Sequence, residues 1–235
     1  MISTGFPSNT SVLSEVVDLA DESITCDALG DFPVQVAAAS GGLINNSLPL
    51  ICGGWNGSYS SECYIAGRAN SDPLVKLLTP RGSSAALAMN SHQLWVTGGY
   101  NSVWPNTLAS TEIVDVLVSP PTVVPGPQLK VPMFGHCIVQ LNQSTAMFIG
   151  GDPFHKKTFF FNFATQSWTD GPDMNYGRYY FGCGMMAMGI YSSIIVVAGG
   201  AHSLSTAPAT ANSSSTSEFL NLEDPNGLKW SAGKN

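Results

Sequence analysis

Basic residues are scarce in this sequence. Nine Lys and Arg stand against sixteen Asp and Glu, a formal net charge of −7 at neutral pH. No basic run occurs, which argues against nucleic acid or an anionic membrane as partner. Charge of either sign is thin, at 11% of residues, where soluble domains carry about 25%. With 44% apolar residues, the balance is the opposite of a disordered chain's. Gly-x-Ser-x-Gly, His-Glu-x-x-His and the phosphate-binding P-loop are all absent. Cysteines 26, 52, 63, 137 and 183 make neither a Cys-x-x-Cys nor a zinc spacing. Histidines 92, 136, 155 and 202 are scattered, so no metal and no cofactor are expected. No secretory leader opens the chain: Met1–Gly5 already reads as a strand ending in its glycine, as in a piece of a longer protein. The uncharged run Phe181–Ala201 has the hydropathy of a membrane span. Gly182, Gly184, Gly189, Gly199 and Gly200 interrupt it, and an apolar hairpin explains the same composition without membrane insertion.

What the chain has is repetition. One phrase reads Ser14–Leu19, Ser61–Ala66, Thr111–Val116, Thr158–Phe163 and Ser217–Leu222. A second, an apolar run ending in glycine, precedes each copy: Ile2–Gly5, Leu50–Gly54, Leu94–Gly99, Met147–Gly151 and Val196–Gly200. Two phrases recurring in step, about 50 residues apart, mark an internal repeat. In each repeat an apolar first strand is predicted at Val34–Ala39, Ala85–Met89, His136–Leu141 and Gly182–Met188. A turn follows at Gly41–Ser47, Asn90–Gln93, Asn142–Thr145 and Gly189–Ser193. The second strand ends in the glycines, and the third is the repeated phrase. Fourth strands are expected at Leu74–Leu78, Pro121–Val124 and Trp168–Gly171. Gly53, Gly54, Gly98, Gly99, Gly150, Gly151, Gly199 and Gly200 read as backbone glycines serving a turn or a close approach. Asp18, Asp115, Asn162 and Asn221 share one site and read as turn residues closing the third strand.

A strand ending in Gly-Gly, a loop, a strand with an acidic or amide residue and then Trp168 or Trp230 together resemble the kelch repeat. A basic position, Arg81 or Arg178, adds to the likeness, which covers essentially the whole chain. The resemblance implies an all-β propeller of four-stranded blades. Five blades are expected, over about 1–32, 33–80, 81–131, 132–178 and 179–235. Both ends read as truncated, so the expectation is an incomplete six- or seven-bladed propeller.

Loops after the glycines vary while the scaffold repeats: Phe6–Leu13, Trp55–Ser60, Tyr100–Ser110, Asp152–Lys157 and Ala201–Thr216. Variable loops on a fixed scaffold are where binding lives. The candidate ligand contacts there are Trp55, Trp104, Phe154, His155, Lys156, Arg81, Arg178 and Tyr179, since aromatics and Arg favour interfaces. Arg178 and its neighbours are equally readable as pairing within the blade. Cys52 and Cys63 fall on consecutive strands of one hairpin, where a disulfide and two small buried side chains are both open. The remaining cysteines are expected to be small buried hydrophobes. Sequons at Asn9, Asn45, Asn56, Asn142 and Asn212 all fall in predicted loops, where a glycan is tolerated. With the scarce Lys, they favour a secreted or cell-surface glycoprotein. The function expected is a non-catalytic scaffold for a protein or glycan partner. A propeller enzyme of the oxidase or sugar-active type is one alternative, and an intracellular kelch adaptor of a ubiquitin ligase or actin-linked complex is another; fold alone does not choose.

Overall fold

A computed structural model describes residues 15–17, 26–28, 32–45, 48–68, 72–102, 106–153, 156–188, 191–202 and 212–233. The chain divides into two compact units, Met1–Leu129 and Lys130–Asn235. In the first, β1 (Glu15–Val17) pairs antiparallel with β2 (Cys26–Ala28). Two four-stranded meanders follow: β3 (Ser40–Ile44), β4 (Leu48–Cys52), β5 (Glu62–Ile65) and β6 (Val75–Lys76), then β7 (Ala85–Ala88), β8 (Gln93–Thr97), β9 (Thr111–Asp115) and β10 (Thr122–Pro125). The second unit holds β11 (Cys137–Asn142), β12 (Thr145–Ile149), β13 (Thr158–Asn162) and β14 (Ser167–Asp170). Its last meander is β15 (Gly182–Met188), β16 (Tyr191–Ala198), β19 (Ser217–Asn221) and β20 (Trp230–Ala232). The small pair β17 (Ala201–His202) and β18 (Asn212–Ser213) interrupts it.

These are β-propeller blades, each an antiparallel meander. Among the described residues they number four, not the five expected. Among the described residues the first repeat contributes only the two-stranded β1–β2 pair. No helix occurs among them, and none is long and apolar enough to cross a membrane. The uncharged stretch folds as the β15–β16 hairpin, pairing Gly182 with Ala198. It is not buried throughout, because Met185 and Met186 are exposed.

One strand sits elsewhere than expected. The first strand of its blade is Ser40–Ile44 rather than Val34–Ala39. Ser40-Gly41-Gly42 reads as a turn, yet here glycine serves close packing inside a strand. A Cβ on Gly42 would come within 2.9 Å of Leu94 Cδ1 on the next blade, and one on Gly41 would meet the Leu50 carbonyl. The double glycines Gly53-Gly54 and Gly150-Gly151 after their second strands have a related cause. At Gly53-Gly54, with φ of 71° and 98°, a Cβ on the first would collide with the Arg81 carbonyl entering the following blade. One on the second would lie 2.7 Å from the Ala37 carbonyl entering its own blade.

In each unit a hydrophobic core lies between two blades. Ile44, Leu50, Cys52, Cys63, Ile65, Leu77, Leu94, Val96 and Val114 form the first. Val139, Met147, Ile149, Met174, Ile195, Val197, Leu220 and Trp230 form the second. Trp168 faces Phe161 and Trp230 faces Leu220 at equivalent register. The turn residues act as read: Asp115, Asn162 and Asn221 accept backbone N–H groups from Leu117, Ala164 and Glu223. Asp18 lies outside the described residues.

Cys52 and Cys63 are directly opposite across β4 and β5 and form a disulfide, with Cα atoms 4.0 Å apart. Gly53 N donates to Glu62 O, so the cysteines occupy the closer, non-hydrogen-bonded pair of the ladder. The partners of Thr97, Ile149 and Ala198 in the other blades are Thr111, Thr158 and Ser217, the first residues of their repeated phrases, so Cys63, third in its phrase Ser61–Ala66, stands two residues out of step with that alignment. A second disulfide, Cys137–Cys183, was not expected. It joins β11 to β15, the first strands of adjacent blades, with Cα atoms 6.3 Å apart. Both its cysteines are half-buried, whereas Cys52 and Cys63 are wholly buried. Access governs thiol–disulfide exchange. Mild dithiothreitol on the folded protein is expected to release Cys137 and Cys183 first, read by alkylation and peptide mass spectrometry. Prior labelling of Cys52 and Cys63 would contradict the assigned burial.

Candidate functional site

The loops after the double glycines begin from a repeated brace. The residue following each pair bridges the residue entering the same blade: Trp55 with Ala37, Tyr100 with Gly82, Asp152 with Phe134, and Ala201 with Tyr179. One residue before each entry point stand Val36, Arg81, Met133 and Arg178. Arg81 and Arg178 are fully buried, so neither is a surface ligand contact. Their other reading, pairing within the blade, describes what they do.

Arg81 Nη1 donates to Gly98 O and Ser110 O, each at 2.8 Å, and Nη2 to Glu112 Oε1 at 2.6 Å. Arg178 repeats this on Gly199 O at 2.9 Å, Thr216 O at 3.1 Å and Glu218 Oε1 at 2.9 Å. Gly98 and Ser110 are the two stems of one loop; Gly199 and Thr216 are the stems of another. One planar guanidinium thus ties the ends of a loop together, a geometry that suits its fixed fork of donors. The glutamates also hold the approaching chain. Glu112 accepts from Leu78 N at 2.5 Å and Thr79 N at 3.0 Å. Glu218 accepts from Asn175 N at 2.7 Å and Tyr176 N at 3.0 Å.

The other two blades replace both partners together. Val36 and Tyr64 pack in one cluster with Phe32 and Ile51, and Met133 and Phe159 are both buried. A buried charge without its partner is costly, while an apolar pair of similar size is not. The exchange follows loop length. The clamps lie under the long loops Tyr100–Ser110 and Ala201–Thr216, and the apolar pairs under the short Trp55–Ser60 and Asp152–Lys157. Closing a longer loop costs more chain entropy.

Aromatic side chains gather at these loops. In the first unit Tyr59 and Tyr100 meet edge to face at 5.2 Å. Burial, then the hydrogen bond with Tyr100, pushes the Tyr59 hydroxyl up to about 12. Trp55, 39% exposed, bridges Tyr59 through the backbone. In the second unit Tyr179 contacts Phe134 and Tyr180 at 6.2 and 5.1 Å. Burial raises the Tyr179 hydroxyl, and the Asp152 charge adds to it. Lys156 is exposed, and its carbonyl accepts from Met174 N. Trp104, Phe154 and His155 lie outside the described residues, as does Asn9. Asn45, Asn56 and Asn142 are exposed, and Asn212 lies on β18. Tyr59, Tyr100, Phe134 and Tyr180 were missed. Their sequence signal is position alone, beside the double glycine or just ahead of a first strand.

Among the described residues no three His, Cys, Asp or Glu converge as metal ligands. His136, next to Phe134 and Gly135, is buried and stacks on Phe148 at 5.9 Å. Burial holds its imidazole down to about 3. These features define the class: an all-β protein of propeller blades whose loops stand on buried, fixed stems. No protein-family model and no curated protein matches the sequence.

Arg81→Met leaves Glu112 buried without its cation and is expected to cost about 3–5 kcal/mol in urea unfolding. Adding Glu112→Phe, the residue type of the third blade, should return part of that loss. Strict additivity of the two changes would refute the pairing. For His136 the folded pKa lies below the ordinary 6.5, so stability is whole above that pH and falls as pH drops toward 3. Glu62, held low first by the Tyr64 hydroxyl, acts in the same direction at lower pH. The expected difference is therefore between wild type and His136→Phe: the melting temperature of the variant should fall less from neutral pH to about 4.5, between the two His136 values. Parallel curves would contradict the assignment.

Proposed function

We propose that this chain is a kelch-type propeller scaffold, not itself catalytic, that holds a protein partner on the loops after its double glycines. The observation that carries the reading is the match between clamp and loop. Buried Arg–Glu pairs stand under the two long loops and are replaced by apolar pairs under the short ones. A scaffold that fixes loop stems so firmly presents the loops themselves as its variable part. The kelch assignment is supported by the repeated phrases, by Trp168 and Trp230 at one register position, and by the meander of each blade. The two disulfides support an oxidising setting, and with the exposed sequons Asn45, Asn56 and Asn142 they favour a secreted or cell-surface glycoprotein.

The test compares the two ends of the blades. The whole chain, tagged and secreted from eukaryotic cells, is cross-linked to its partner in extracellular medium. Trp55→Ala with Tyr100→Ala should lose the partner with little change in melting temperature. Leu43→Asp with Asn142→Asp, at the opposite turns, should keep it. The reverse outcome would place binding on the turn end and refute the proposal.

A further inference from the structure

Resting on that scaffold reading, we infer that Phe134, Tyr179 and Tyr180, with Asp152, form a seat for a cationic side chain, an Arg or Lys on a basic segment of the protein partner. Tyr180 is a backbone outlier, with φ of 54°, and is 48% exposed. The equivalent positions in the other blades are Ala38, Ser83 and Gly135, with φ of 55°, 54° and 61°. All four are left-handed, and three are small, as such a conformation favours. A bulky ring here works against stability, and outliers of this kind point toward function.

The neighbourhood accommodates that ring. A Cβ on Gly135 would lie 3.0 Å from Tyr180 Cδ1, so the ring lies over bare backbone. Tyr180 N donates to Gly135 O at 2.8 Å. Phe134 lies 5.9 Å from the ring and Tyr179 5.1 Å. Both neighbours are braced: Phe134 pairs with Asp152, and Tyr179 with Ala201. The result is a rigid, half-exposed cluster of three aromatic rings beside a carboxylate.

Aromatic faces accept a sugar or a cation, and charge decides between them. The chain carries −7 overall. Among the described residues, Lys76, Arg81, Lys130, Lys157 and Arg178 are held in ion pairs. Asp152 places negative charge beside Tyr179. Rings with a negative charge nearby favour guanidinium or ammonium through cation–π attraction, strengthened by that charge.

The experiment titrates the whole chain calorimetrically, at physiological salt, with blocked hexa-arginine, blocked hexaglutamine and maltohexaose. Wild type should bind hexa-arginine and neither of the others. Tyr180→Gly, which changes no charge, should weaken binding about fivefold or more while the melting temperature holds or rises. Tyr180→Ala, the residue at Ala38, should do the same, and Tyr180→Phe should keep affinity. Undiminished, wild-type affinity in Tyr180→Gly and Tyr180→Ala would overturn the inference, as would hexaglutamine or maltohexaose binding at this cluster. Either failure leaves the scaffold reading standing, because that reading is tested at Trp55 and Tyr100 in the other unit.

Discussion

The buried guanidinium at the loop stem is the constraint on which the rest of this molecule depends. Arg81 and Arg178 are taken wholly out of water, which is unfavourable for a charge unless it is paired and hydrogen-bonded. Through its Nη atoms each finds a carboxylate and two carbonyls, while its Nε is left without an acceptor among the described residues. One carbonyl belongs to the first glycine of the doublet before a long loop and the other to the loop's last residue, so satisfying the charge also holds the two stems of the loop together. The carboxylate meanwhile receives two N–H groups from the chain arriving from the previous blade. Loop, third strand and incoming segment are therefore fixed by one interaction. Where the loop is short, tight backbone geometry suffices and an apolar pair takes the site.

Backbone contact sets the second constraint. At Gly53-Gly54 and Gly150-Gly151 the chains entering the blades pass so close to the double glycine that no side chain fits without a shift. The same closeness inside the first unit explains Gly42 against Leu94. With strands and entry points fixed by glycine, core and clamp, the repeats differ in their loops and in the paired residues at the loop stems. The disulfides reinforce this in different ways. Cys52–Cys63 lies in the first core, while Cys137–Cys183 staples two first strands near the surface.

Much of the fold was legible because third strands recur as whole phrases and second strands end in a fixed doublet. Both signals survive substitution, since each reflects a backbone requirement. The strand Ser40–Ile44 was not legible, because Gly41 and Gly42 serve packing there while two adjacent glycines ordinarily signal a turn. The alignment at Cys63 slipped by two residues because Glu62 mimics the glutamate of the other copies. The residue at that structural position is Tyr64, whose hydroxyl donates to Glu62 at 2.6 Å. Arg81 and Arg178 were visible as a repeated basic position, but their direction inward depends on partners about 30 to 40 residues further along the chain. The aromatic clusters were the least legible part. Tyr59 meets Tyr100 and Phe134 meets Tyr180 only because adjacent blades bring them together, which no local pattern encodes.

Four backbone amides test the central claim directly. Leu78, Thr79, Asn175 and Tyr176 lie outside every strand, yet each donates to a clamp carboxylate. Native-state hydrogen exchange followed by NMR reads their protection residue by residue. Exchange as slow as in β9 and β19, with protection lost at Leu78 and Thr79 in Glu112→Ala, is the result this account predicts. Exchange at the rate of the exposed turns, unchanged by that substitution, would contradict it.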